Sequence, residues 1–279
     1  MATSRFGLTA LAAGAALVLS VPALAVPALA WAQAPAASAA PPAQLGALAP
    51  ENLKKKRPAP PWNLTGTWQH EPAKTASHPA NSFRFGPPYP KFMPEAQKEF
   101  DAGVKAVAEG HAYKDTIGQC YPAGMPVIMT RVWPIAMVQL PTVIYMVSGF
   151  ENAFREIYLD GRKHMDSDLV VRSFNGESIG HWEGDTLVVD TNAFTKENHT
   201  IDVGIPISDE FHMVERMRLT NKGDTLEIAY TMTDPKMWEG EWKSTKYFKR
   251  MNDTDIVEVE CTPDLDEHLP ATSSKLNVR

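Results

Sequence analysis

The chain has 279 residues, of which 27 are basic and 33 acidic, for a net charge of −6. An acidic balance of this kind suits polyanions poorly, so nucleic acid is not an expected partner. Two cysteines with no C-x-x-C pair exclude a cysteine-built zinc site.

In chain order, Arg5 precedes an apolar run from Phe6 to Ala30 that ends in the small-x-small pattern Ala30-Trp31-Ala32. This predicts a signal peptide over 1–32, cleaved after about Ala32, and a periplasmic or secreted product. No later apolar stretch is long enough for a transmembrane segment. Losing Arg5 moves the balance to 26 − 33 = −7. Residues 33–60 are mostly Ala and Pro, followed by a basic run at Lys54–Arg57, and read as a disordered linker. Residues 61–270 then form one domain and 271–279 a flexible tail. Export allows a disulfide between Cys120 and Cys261; two free thiols are the alternative.

"MPEAQKEFDAGVKAVAEG" (93–110) predicts one amphipathic helix, with Pro94 in its first turn, Gly110 at its stop and a stripe of Phe100, Val104 and Val107. Nearly all else reads as short strands: "LTGTWQH", "PVIMTRV", "IAMVQL", "TVIYMVSG", "FREIYLD", "ESIGHWE", "DTLVVDT", "FHMVERMRL", "DTLEIAYTM", "STKYFKRM" and "DIVEVEC". Short strands with tight turns predict a mainly β fold: an antiparallel up-and-down barrel, or a barrel-like bent sheet, with one inserted helix.

"HWEGDTLVVD" (181–190) mixes turn and candidate chemistry. Gly-Asp-Thr-Leu recurs at 223–226, so Gly184-Asp185 reads as a hairpin turn and not as a catalytic motif. His181 and Glu183 are not repeated there. Two apart on a strand, they share a face, with Trp182 opposite. They form either an edge hydrogen bond or a carboxylate-oriented proton carrier.

On 211–219, Glu215 interrupts the apolar face of Phe211, Met213, Met217 and Leu219, while His212 lies on the other face. A carboxylate there must find a partner or take up a proton. Arg155 shares a face with Ile157 and Leu159 and could pair with it, as a structural ion pair. Tyr158 occupies the opposite face, and the turn at Asp160-Gly161 presents Arg162 and His164 at a rim. His164, His181 and His212 lack metal-ligand spacing, and neither metal nor cofactor is predicted. No nucleophile elbow, P-loop or dinucleotide fingerprint is present.

Several words occur in order: "CYPAGMP", "REIYLDGR", "GHWEGDTLVVDT", "VERM" and "TMTDP". Together they resemble a large family of exported bacterial β-rich proteins, over about residues 62–262, and "NLTGTWQ" resembles the opening strand of lipocalin-like (calycin) barrels. The resemblance implies export and a β-rich fold; it carries over no catalytic residues.

The expectation is an exported pocket protein for a small hydrophobic or aromatic molecule. The leading function is a cofactor-independent acid–base enzyme, a lyase, isomerase or hydratase. Glu215 and His181 would carry protons, Glu183 would orient His181, and Tyr158 would donate at the rim. Arg155, Arg162, His164, Trp182 and His212 would bind ligand. The alternative is a non-catalytic lipocalin-like binding protein.

Overall fold

The computed structural model describes residues 44–75, 84–110, 113–114, 116–151, 153–202, 204–259 and 261. The expected signal peptide and the tail at 271–279 lie outside the described residues. The fold is mainly β, a closed nine-stranded barrel with one long inserted helix.

The barrel strands are β1 (Gly66–His70), β3 (Ile135–Gln139), β4 (Val143–Ser148), β5 (Phe154–Tyr158), β6 (Glu177–Glu183), β7 (Thr186–Asn192), β10 (His212–Thr220), β11 (Thr225–Thr233) and β13 (Trp242–Met251). Their order round the wall is β1-β13-β11-β10-β7-β6-β5-β4-β3, and β1 closes it by pairing with β3. All neighbours are antiparallel except β5 and β6, which pair in parallel at Ile157↔Ser178 and Tyr158↔Ile179. The barrel is therefore mixed, because the 159–176 connection returns the chain to the far end before β6 begins.

Two-residue alternation sets the interior. Trp68, Ile144, Ile157, Leu187, Met217 and Ile228 point inward and are buried. Gly180 also faces in, because a Cβ there would come 2.7 Å from Leu159 Cδ2. Two small sheets lie outside the barrel: β2 (Lys91–Phe92) with β12 (Trp238–Glu239), and β8 (Thr200–Asp202) with β9 (Ile205–Pro206). An aromatic cluster joins the first of these to the barrel end at Trp242, including Trp238 at 5.9 Å and Tyr89 at 5.7 Å from its ring.

The inserted helix (Pro94–Glu109) starts at Pro94 and stops at Gly110, which has φ +85°. Its packed stripe is Ala96, Phe100 and Gly103; Val104 points to solvent. Small residues, Ala96 and Gly103, make the contact expected of Val104. Among the described residues no helix is long and apolar enough to cross a membrane.

Three boundaries differ from expectation. "PVIMTRV" holds a 3-10 turn, Val127–Thr130, all four residues of which are buried. Its bonds are local, from Ile128 N to Gly124 O (2.8 Å) and Thr130 Oγ1 to Val127 O (2.7 Å). Among its described residues "DIVEVEC" adds no strand, because the β1–β13 and β1–β3 pairings leave the barrel no edge. Cys261 instead bonds Cys120 in a disulfide spanning 141 residues. The segment expected as linker packs from residue 44 onward: it contains α1 (Pro50–Leu53), and buried Asn52 donates to Asp160 Oδ2 (2.9 Å).

Candidate functional site

The interior polar cluster is assembled by register. Glu215 lies opposite Val189, which lies opposite Gly180, so all three face in. Arg155, on β5, points into the same interior and meets Glu215 through both carboxylate oxygens. Arg155 Nη1 donates to Oε1 at 3.2 Å and Nη2 makes a short contact with Oε2. Arg155 Nε also donates to Ser178 Oγ and Nη2 to Thr191 Oγ1, each at 3.1 Å. The two hydroxyls share a bond of 3.0 Å. The side chains of the ion pair are 1% and 0% exposed. Such a pair balances desolvation with bidentate geometry and auxiliary hydrogen bonds.

Beside Glu215 in register, on β11, stands Tyr230. Its hydroxyl is buried and has no hydrogen-bond partner among the described residues. Burial, and then the negative charge of Glu215, push this phenol well above its ordinary range. Beyond it on β13, Lys246 is also buried and donates to Arg84 O at 2.6 Å, with its ammonium 4.9 Å from the Phe85 ring centre. Burial lowers its pKa to about 7. The sequence held a signal for both residues. Tyr230 alternates with Ile228 and Met232, and Lys246 with Trp242 and Phe248.

His181 does not join this cluster. It lies opposite Val188, which lies opposite Arg216, a row that faces outward. Its ring contacts Glu183 (Nε2 to Oε1, 3.2 Å), and Glu183 also accepts from Arg216 Nη1 at 2.9 Å. Arg216, then His181, hold the Glu183 carboxyl below its usual range. The expected constellation of Glu215 and His181 in one pocket is thus not assembled, because adjacent inward and outward rows separate them. Trp182 faces in toward one barrel end, where it packs edge-on against Trp62 at 4.6 Å. Trp62 Nε1 donates to Asp185 O, and Gly184 at φ +61° turns the hairpin. Gly184-Asp185 therefore serves as a turn, as its repetition suggested.

Tyr158 and Arg162 form a separate outer cluster. Tyr158 donates to Glu156 Oε2 at 3.0 Å, and Arg162 stacks 3.8 Å above its ring. Burial, then the bond to Glu156, push the Tyr158 pKa up to about 12, which makes it a weak acid donor at neutral pH. Arg162 is held by Asp160 through Nε at 2.8 Å and Nη2 at 2.6 Å.

His164 and His212 do come together, on the outer wall. His164 contacts Glu177 Oε2 through Nδ1 and Asp190 Oδ1 through Nε2, each at 2.9 Å. His212 Nε2 lies 3.0 Å from both Asp190 oxygens. The result is a four-residue chain, Glu177–His164–Asp190–His212, partly exposed to solvent. Its bond to Asp190 raises the His212 pKa. Burial pushes Asp190 up, but His212 and His164 outweigh it and leave its pKa lowered. Composition gave no route to Asp190 or Glu177, since both sit among ordinary surface carboxylates. Among the described residues no group of three or more His, Cys, Asp or Glu side chains could hold a metal ion.

In comparisons with known proteins, no family model and no curated relative matches the chain.

Proposed function

We propose that this chain is an exported, lipocalin-like barrel that holds a small hydrophobic molecule without transforming it. The observation that carries this reading is the state of Glu215. A general base needs a free carboxylate, and here each carboxylate oxygen already has an Arg155 donor. Support for the ligand class comes from the apolar wall around Trp68, Ile144, Leu187 and Met217 and from the paired Trp62 and Trp182 at one end. Support for export comes from the Cys120–Cys261 disulfide, which persists in oxidising compartments.

The test is native mass spectrometry of protein from its own periplasm, followed by mild denaturation. Release of one apolar compound, bound equally by wild type and Glu215→Gln and recovered unchanged, is the expected result. A protein that carries nothing and takes up no hydrophobic dye refutes it.

A second reading, the acid–base enzyme, is favoured by one observation: the His212–Asp190 contact on the outer wall, extended through His164 to Glu177. A carboxylate-held imidazole is suited to proton transfer. If the released compound is chemically altered on incubation, and His212→Gln abolishes the change, this reading replaces the first.

A further inference from the structure

The interior hydrogen bonds do not close on the donor side. Ser178 and Thr191 each accept from Arg155 and share one bond between them, which uses one of their two hydroxyl hydrogens. The other finds no acceptor among the described residues. Tyr230 adds a second unmatched O–H, 1% exposed and pointing inward beside Glu215. No carboxylate oxygen of Glu215 is left without an Arg155 donor. A buried donor without an acceptor costs free energy, and in native proteins such groups commonly meet a bound molecule or an ordered water. Next to Tyr230 in register, inward-facing Ser244 keeps partial exposure while Trp242 and Lys246 on either side are buried.

Charge narrows the ligand further. Arg155 is neutralised by Glu215, so an anion placed at Tyr230 would meet a carboxylate with no spare cation at that pair. Lys246, the other fully buried interior cation among the described residues, is turned to the carbonyl of Arg84. We infer that the barrel selects a neutral apolar molecule bearing a carbonyl-type acceptor, which takes the hydrogen bond of the Tyr230 hydroxyl, and discriminates against the corresponding carboxylate. This rests on the proposed binding function and specifies its ligand class.

The experiment uses the full mature chain and three probes with one ring system: 1-acetonaphthone, 1-naphthoate and 1-methylnaphthalene. Affinities are read by calorimetry at neutral pH, for wild type and for Tyr230→Phe, with thermal melts to show that the variant is folded. The ketone is expected to bind wild type about tenfold more tightly than the hydrocarbon, ~1.4 kcal/mol, the size of one net hydrogen bond. Tyr230→Phe should erase that difference and leave the hydrocarbon unchanged. The carbonyl stretch of bound ketone should lie at lower wavenumber in wild type than in the variant. Preference for naphthoate, or ketone binding indifferent to Tyr230→Phe, overturns the ligand class while the binding function stands. Hydrocarbon and ketone bound equally by wild type would mean that only water serves Tyr230, which also overturns it. Failure of all three probes to bind either protein removes the binding function itself.

Discussion

Replacing Arg155 with methionine keeps most of the side-chain volume and removes the only counter-charge bonded to Glu215 among the described residues. The carboxylate then stands in the barrel interior at 0% exposure with no donor. Breaking a buried pair from one side costs about 3–5 kcal/mol, since desolvation remains while attraction is lost. Ser178 and Thr191 lose their donors too, although they keep each other at 3.0 Å. Against a domain stability of roughly 5–15 kcal/mol, the variant should fold but only marginally. In urea, with a slope of about 2–3 kcal/mol per molar, the midpoint should fall by on the order of 1–2 M. The double variant Arg155→Met with Glu215→Leu removes both charges and should recover most of the loss, as apolar replacements of buried pairs do. Equilibrium unfolding of the oxidised protein, run as a double-mutant cycle, measures this coupling. If the single variant costs under ~1 kcal/mol, or the double variant is as unstable as the two singles added, the pair is not the buried, mutually dependent unit described here.

Other outcomes follow from separate features. Reducing the Cys120–Cys261 bond, which closes 141 residues, should cost up to about 5 kcal/mol by loop entropy, read as a drop in melting temperature under reductant. Gly180→Ala places a methyl group 2.7 Å from Leu159 Cδ2 and should cost about 1–3 kcal/mol by overpacking; an unchanged melt would show that Leu159 yields freely. Lys246 has its pKa lowered from 10.5 to about 7, so between those values the unfolded chain binds the extra proton and stability should rise with pH; Lys246→Met should flatten that rise. The His212 pKa is raised from 6.5, so its contact with Asp190 contributes fully below 6.5 and is lost as pH rises through the folded value. The Asp190 pKa is lowered from 3.8, so the same contact is lost as pH falls through that lowered value, and His212→Gln should remove the upper limb of a pH–stability profile and shrink the acid limb, which His164 still supports.

The parts legible from sequence were those set by alternation within one strand. Glu215 shares its face with Met213 and Met217, His212 takes the opposite face, and Trp182 opposes His181 and Glu183, all readable from a period of two. Which face turns inward was less legible where both faces are mixed. His181 and Gly180 are adjacent, and only the register to Val188 and Val189 assigns the first to solvent and the second to the interior. "PVIMTRV" was ambiguous because an unbroken apolar run fits a buried turn as well as a strand. "DIVEVEC" has good strand alternation and still joins no strand ladder among its described residues, since ladder pairing depends on a free edge and closure of the barrel removes it.

The outer chain of Glu177, His164, Asp190 and His212 shows why long-range sites escape this kind of inference. Glu177, Asp190 and His212 stand on three neighbouring strands, so pairing alone brings them to one outward patch. His164 is on none of them. It reaches the patch because β5 and β6 run parallel, which obliges residues 159–176 to cross from one barrel end to the other. A tight antiparallel hairpin in place of that crossing would have left no connection long enough to carry His164 to Asp190. The one departure from up-and-down topology is thus what completes the chain of titratable groups. A sequence assignment that makes every connection a hairpin loses the topology and the site together.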